Sequence, residues 1–335
     1  KNSKIGYRVF ALDLILQLLT NTQGRKNRQS RFSHLNLLQL IISRCSDKAP
    51  SVRAKALCHL AQCICSENDA ITAAVKKLLT MQLTNGSMEE HSTPRLPLAE
   101  VSGSPDQNVS TMIRRRVSDG KVVVRKAAIQ VLESIIRMNS DSLRKEDLDT
   151  LHDRTMDPSL AVRKQAMVSI TALLSENPDS SLLHGIWLDA ILPLVVDRET
   201  TAQEKCLSIL EEIILKNIIL ERGTQHEDHV LAWKLLLLVA GISGEELRHY
   251  FQKVCYHWAK QGKFSPDKIK AIMSHTGNKN ASAAWLLLSE ISSFKPKLNN
   301  YNTIIECCNE YMSKGNEELL CRVLKVIENI AADIS

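Results

Sequence analysis

Three aspartates in this chain are each followed, six residues on, by an arginine: Asp47 and Arg53, Asp119 and Arg125, Asp157 and Arg163. Each pair sits in a similar frame, SDKAPSVRAKALCHL, SDGKVVVRKAAIQVL and MDPSLAVRKQAMVSI, and a weaker fourth copy has Asp197 in register with Gln203 in place of the arginine. Asp is expected to open a helix, because its carboxylate can accept from the free N–H groups of the first turn. The Arg then lies on the first turns of that helix and can reach the Asp of its own or a neighbouring repeat. The chemistry this predicts is a structural ladder of ion pairs, not catalysis.

Other constellations are weaker. There is no GxxxxGK phosphate loop, no GxGxxG after a strand, no HExxH and no GxSxG elbow. His226-Glu227-Asp228-His229 places two histidines three apart, as a metal site would, but at a helix start where acids belong and with no third ligand. It reads as a solvated helix terminus. The nine cysteines fall in apolar helical patterns, and the Cys63/Cys65 pair lacks a second pair at zinc-finger spacing. Reduced, buried thiols are expected, as in a cytosolic or nuclear protein. No metal, cofactor or catalytic residue is predicted.

Charge is uneven. Residues 1–83 carry a net +9, residues 84–112 a net −3, residues 113–180 a net +2 and residues 181–335 a net −2. Two clusters stand out: Arg25, Lys26, Arg28 and Arg31 in GRKNRQSR, and Arg114, Arg115, Arg116, Lys121 and Lys126. Basic loops beside a helical surface can neutralise phosphates without reading bases, so these nine residues are candidate DNA contacts. The competing reading is a solvated charged loop. Candidate phosphorylation sites are Thr93 and Ser104, each before Pro, Ser118 in RRVS, and Ser265 in SPDK; Ser118 and Ser265 are also placed as helix caps.

The elements that must position these residues are helices. Aromatic residues make up only 4% of the chain, against 44% hydrophobic overall, a balance that suits helix-on-helix packing better than sheets. The motif aspartates lie 72, 38 and 40 residues apart. The last two spacings match two-helix repeats of the HEAT and armadillo kind, and the first is one period plus about 30 residues. The extra residues are Thr84 to Met112, rich in Ser, Thr, Pro and Gly, expected to be a mobile insertion.

The chain therefore divides into residues 1–83, helical repeats with a basic loop; 84–112, the insertion; 113–220, repeats with the D-x5-R motif; and 221–335, divergent repeats. Helices are expected at about 183–196, 200–220, 226–240, 244–262, 265–275, 280–293, 297–313 and 316–334, with Lys295-Pro296 as a break. The fold class is all-α, a HEAT/armadillo-type α-solenoid: a superhelical stack of antiparallel helix pairs. Ile5 to Leu19 and Leu319 to Ile334 already read as helices, so a segment of a longer polypeptide is expected. No secretory signal is visible, and the apolar run Leu235 to Gly241 is far too short for a membrane span.

The repeats SDKAPSVRAKAL, DGKVVVRKAAIQVLESI and MDPSLAVRKQAMVSITALL, with the basic segment before them and the Ser/Pro-rich insertion between, resemble condensin HEAT subunits, the D-type subunits of condensin II in particular. The resemblance is clearest over about residues 1–220. It implies a non-catalytic subunit of a nuclear complex acting on mitotic chromosomes. Its implied partners are a kleisin chain, the ATPase heads of an SMC pair, double-stranded DNA or chromatin, histone tails and mitotic kinases. The alternatives are a karyopherin-type transport receptor, which the basic N-terminal charge disfavours, and a phosphatase or kinase scaffold.

Overall fold

A computed structural model describes residues 2–20, 33–81, 109–139, 143–220, 227–241, 244–294 and 301–334. Among them are sixteen α-helices and no strand. The fold is all-α, built from HEAT-type helical repeats. The chain forms two compact units, Lys1–Leu173 and Leu174–Ser335.

The first unit holds α1 (Asn2–Thr20), α2 (His34–Arg44), α3 (Pro50–Ile64), α4 (Asp69–Met81), α5 (Val109–Val117), α6 (Val122–Met138), α7 (Lys145–Thr155) and most of α8 (Leu160–Glu176). Helices α3 and α6 pack along one another, with α1 on α3, and α2 and α5 form hairpins with α3 and α6. The packed faces are the apolar stripes read from the sequence: Val52, Ala56, Leu57 and Leu60 on α3, and Val124, Ala128, Ile129 and Val131 on α6, all buried. One boundary differs. Val109 to Met112, assigned to the insertion, form the first turn of α5, because Val109, Met112 and Ile113 bury one side of that helix. The remainder of the insertion, residues 84–108, lies outside the described residues.

The second unit contains α9 (Ser181–Ile191), α10 (Thr200–Leu210), α11 (Glu227–Ala240), α12 (Glu245–Lys260), α13 (Pro266–Met273), α14 (Ala281–Ser292), α15 (Tyr301–Lys314) and α16 (Glu317–Ile334). A 3-10 stretch, Leu192–Val196, follows α9, and a π-helical turn, Glu211–Leu215, ends α10. The expected helix over 200–220 is therefore shorter and widened at its end. Local chemistry sets the ends. Ser180 and Ser265 cap α9 and α13, accepting from Leu183 N and Lys268 N at 3.4 and 3.3 Å. Gly262 and Gly315 have φ of 68° and 66° after α12 and α15, a left-handed residue that lets the next N–H turn back on the helix. Lys263 N donates to Trp258 O at 3.0 Å, and Asn316 N to Tyr311 O at 3.1 Å. Residues 295–300, with the expected break at Lys295-Pro296, lie outside the described residues.

Candidate functional site

Each motif aspartate first folds its own turn. Asp47, Asp119 and Asp157 stand three residues before the helices they precede, and one carboxylate oxygen accepts the N–H two residues on: Ala49 at 2.8 Å, Lys121 at 3.0 Å and Ser159 at 2.8 Å. This corrects the expected capping role. The N-cap residues of α3 and α6 are Ala49 and Lys121, and neither makes a side-chain cap bond. The aspartate closes an Asx-type turn just ahead of the helix, and there it can also take a guanidinium from a neighbouring element.

The arginine six residues on joins two repeats. Its Nη1 donates to the backbone carbonyl of its own aspartate: Arg53 to Asp47 O at 2.9 Å, Arg125 to Asp119 O at 3.0 Å, Arg163 to Asp157 O at 2.9 Å. For the first two arginines a second nitrogen reaches the carboxylate of the following repeat. Arg53 Nη2 meets Asp119 Oδ1 at 2.8 Å, and Arg125 Nε and Nη2 meet the two oxygens of Asp157 at 2.8 and 2.7 Å. The fork-to-fork geometry of the second pair is the stronger kind of charge-assisted bond. Asp197 keeps the turn, accepting from Glu199 N at 2.8 Å, and Gln203 Nε2 donates to Asp197 O at 2.6 Å where the arginine would stand.

Four ladder members were missed in the sequence. Arg8 on α1 donates to both oxygens of Asp47 at 2.8 Å. Arg44, Arg116 and Arg154, each three residues before a motif aspartate, approach it at 3.7, 3.0 and 3.4 Å. For the last three the signal was present as R-x-x-D-x5-R. Burial pushes the Asp119 and Asp157 carboxyls up, but donated hydrogen bonds outweigh it and hold both below the usual carboxylate range. The donors are Arg53, Lys121 N and Arg116 for Asp119, and Arg125 and Ser159 N for Asp157, which Arg154 also attracts.

The basic candidates separate. Arg25, Lys26, Arg28 and Arg31 lie outside the described residues. Arg114 is committed to Asp147, with Nε and Nη2 at 2.9 and 2.6 Å from one oxygen, tying α5 to α7. Arg116 belongs to the ladder. Arg115, Lys121 and Lys126 are exposed. The second cluster is thus not one cationic face, because folding brings carboxylates to Arg114 and Arg116.

Thr93 and Ser104 lie outside the described residues. Ser118 is exposed in the turn between α5 and α6, but Arg115 to Val117 are helical, Val117 is fully buried and Arg116 is held by Asp119. An enzyme that reads RRVS as extended chain must first unwind the end of α5. Ser265 is exposed and caps α13. Ser265→Ala is expected to cost about 1 kcal/mol of stability, read as a lower urea midpoint at unchanged slope.

All nine cysteines are free thiols. Burial pushes Cys45 and Cys206 up to about 12 and Cys63 up to about 11, which makes them inert. Cys65 and Cys321, expected buried, are exposed. His229 is not a solvated terminus residue either: it is buried, and its Nδ1 lies 2.8 Å from Asn217 O. His226 lies outside the described residues. Among the described residues no group of three or more His, Cys, Asp or Glu is placed to hold a metal, and no helix is long and apolar enough to cross a membrane.

The geometry is that of a repeat scaffold, and comparison with known proteins says which. Residues 100–132, the α5–α6 copy of the motif, match the family of the HEAT repeat associated with sister chromatid cohesion. Over 99% of its length the chain is 34% identical to the condensin-2 complex subunit D3-L of Xenopus laevis, and the same holds for condensin-2 complex subunit D3 of Mus musculus. The chain is a homologue of the condensin-2 D3 subunits. It spans about a quarter of their length, 25% and 24% respectively. Among solved structures, the C-terminal fragment of the cohesin loader SCC2 of Chaetomium thermophilum matches at a TM-score of 0.43 and 15% identity, covering 88% of this chain and 23% of that one. For a D3 homologue the ladder marks the joints between successive repeats of the first unit.

Proposed function

We propose that this D3 homologue works as a non-catalytic HEAT scaffold within a condensin-type chromosome-condensation complex, holding protein partners and DNA. The observation that carries this reading is the 34% identity to condensin-2 D3 subunits along 99% of the chain. A run of helices locked by ion pairs suits a scaffold, since it supplies extended surface without a catalytic cleft. The partners implied are a kleisin chain and the SMC ATPase heads, with chromatin, histone tails and mitotic kinases as further contacts, in the nucleus and on mitotic chromosomes. DNA is assigned to Arg25, Lys26, Arg28 and Arg31, with Arg115, Lys121 and Lys126 as the second group.

Two measurements test the reading. Co-purification with the kleisin and SMC subunits of condensin-2 is expected; absence of both from an otherwise folded chain would remove the partner assignment. For DNA, changing Arg25, Lys26, Arg28 and Arg31 together to Glu is expected to flatten the dependence of log affinity on log salt. The slope should fall by about 0.9 for each phosphate that is no longer neutralised, roughly 3 to 4 for the set. An unchanged slope and affinity would end the DNA role of that segment.

A further inference from the structure

Helix α1 carries a copy of the repeat motif that lacks its aspartate. Arg8 stands to Asp47 as Arg53 stands to Asp119 and Arg125 to Asp157. Counting from the arginine, Ala11 and Leu12 take the places of Ala56 and Leu57 on α3, Ala128 and Ile129 on α6, and Ala166 and Met167 on α8. Helix α1 also packs on α3, the second helix of the next repeat. It is therefore the second helix of a repeat, and its register is fixed by three other copies.

That register exposes a discrepancy. Tyr7 is 73% exposed, yet its equivalents Val52, Val124 and Val162 are each 0% exposed. Leu14 is 43% exposed, while His59, Val131 and Ser169 in its place are at most 3% exposed. Leu18 is 51% exposed, against at most 7% for Cys63, Ile135 and Leu173. The inward positions agree in all four helices: Leu12 is as buried as Leu57, Ile129 and Met167. Only one side of α1 differs. Tyr7, Leu14 and Leu18, with Ala11 and Phe10 beside them, form one stripe at helical spacing.

In the copies based on α3 and α6, each second helix packs in a hairpin against the helix just before it, α2 or α5. Among the described residues α1 packs on α2 and α3 of the next repeat, and has no such hairpin partner. We propose that the stripe Tyr7–Leu14–Leu18 seats an amphipathic helix of the same polypeptide, antiparallel to α1 and N-terminal to it, completing the repeat of which α1 is the second half. The relatives, of which this chain spans about a quarter, are long enough to hold such a helix outside the matched stretch. By analogy with α2 and α5 the helix is 9 to 11 residues long, with apolar side chains at spacings of three and four, as in Val109, Met112, Ile113 and Val117.

The test uses Leu14→Cys in the 335-residue chain and in the full natural polypeptide, with thiol labelling read peptide by peptide and the exposed Cys321 as a reference. In the shorter chain labelling at position 14 should match the reference, and in the full polypeptide it should slow by about tenfold or more. A benzophenone side chain placed at Tyr7 in the full polypeptide should cross-link to a segment N-terminal to α1. Equal labelling in the two chains, or a cross-link to a second copy or to another protein, would overturn the proposal.

Discussion

Asp157→Ala is expected to destabilise the first unit by about 3–5 kcal/mol, the loss seen when one member of a buried ion pair is removed and its partner stays behind. The Asp157 side chain is fully buried, and that of Arg125 is only 12% exposed. Without the carboxylate, Arg125 loses two hydrogen bonds, Arg154 loses its counter-charge and Ser159 N–H loses its acceptor. The effect should grade along the ladder. Arg53 opposite Asp119 is 13% exposed, but Arg8 opposite Asp47 is 36% exposed and Arg44 is 50% exposed, so water can solvate those arginines when Asp47 is removed. The predicted order of cost is therefore Asp157 and Asp119 well above Asp47. Urea unfolding of the three alanine variants measures it, and a cost below about 1 kcal/mol at Asp157 would show that the ladder does not hold the repeats together.

The same carboxylates set an acid limit. The folded pKa values of Asp119 and Asp157 are depressed, so the unfolded chain takes up protons first as pH falls. Their contribution to stability is complete above about pH 5, where the unfolded carboxyls are also ionised. It declines below that, as pH falls from the ordinary value near 3.9 through the folded values. Asp157→Asn should be less stable than wild type at about pH 7 and lose less stability between about pH 5 and pH 3.

The ladder was readable because its parts are local. An aspartate, a turn and an arginine six residues on form one covalent unit, and repetition made the unit visible. What could not be read was the direction of each bond. The arginine meets its own aspartate through the backbone carbonyl and keeps its second nitrogen for the next carboxylate, a division that depends on how α3, α6 and α8 stack. Arg8 escaped notice because residue 2 is Asn, which leaves that copy without its anchor. Arg114 looked like part of a cationic cluster because Asp147 is 33 residues away in sequence, and only folding places it there. In the second unit the motif fades after Asp197 because other devices take over. Arg322 donates to Ala240 O across 82 residues and to Ser282 O across 40, contacts with no local signature.

The strongest of these devices yields the second large effect. Trp285 on α14 is fully buried, and its Nε1–H donates to Tyr311 Oη at 3.0 Å; that hydroxyl donates in turn to Thr276 O at 2.8 Å. The rings meet edge to face with centroids 6.4 Å apart. One side chain thus ties α14 to α15 and to the turn after α13. Trp285→Ala is expected to cost about 3–5 kcal/mol, the penalty for emptying a large aromatic site. Trp285→Phe separates packing from bonding. It keeps a buried aromatic ring while removing the indole N–H and the ring that carries it, and Tyr311 still has Thr276 O as its acceptor. Its additional cost for the missing bond should be about 1 kcal/mol. Hydrogen exchange on α14 and α15 reads both variants. Equal losses for Phe and Ala would mean that the indole N–H, not the ring, holds this end of the second unit, and that a hydrogen bond there does the work that ion pairs do in the first.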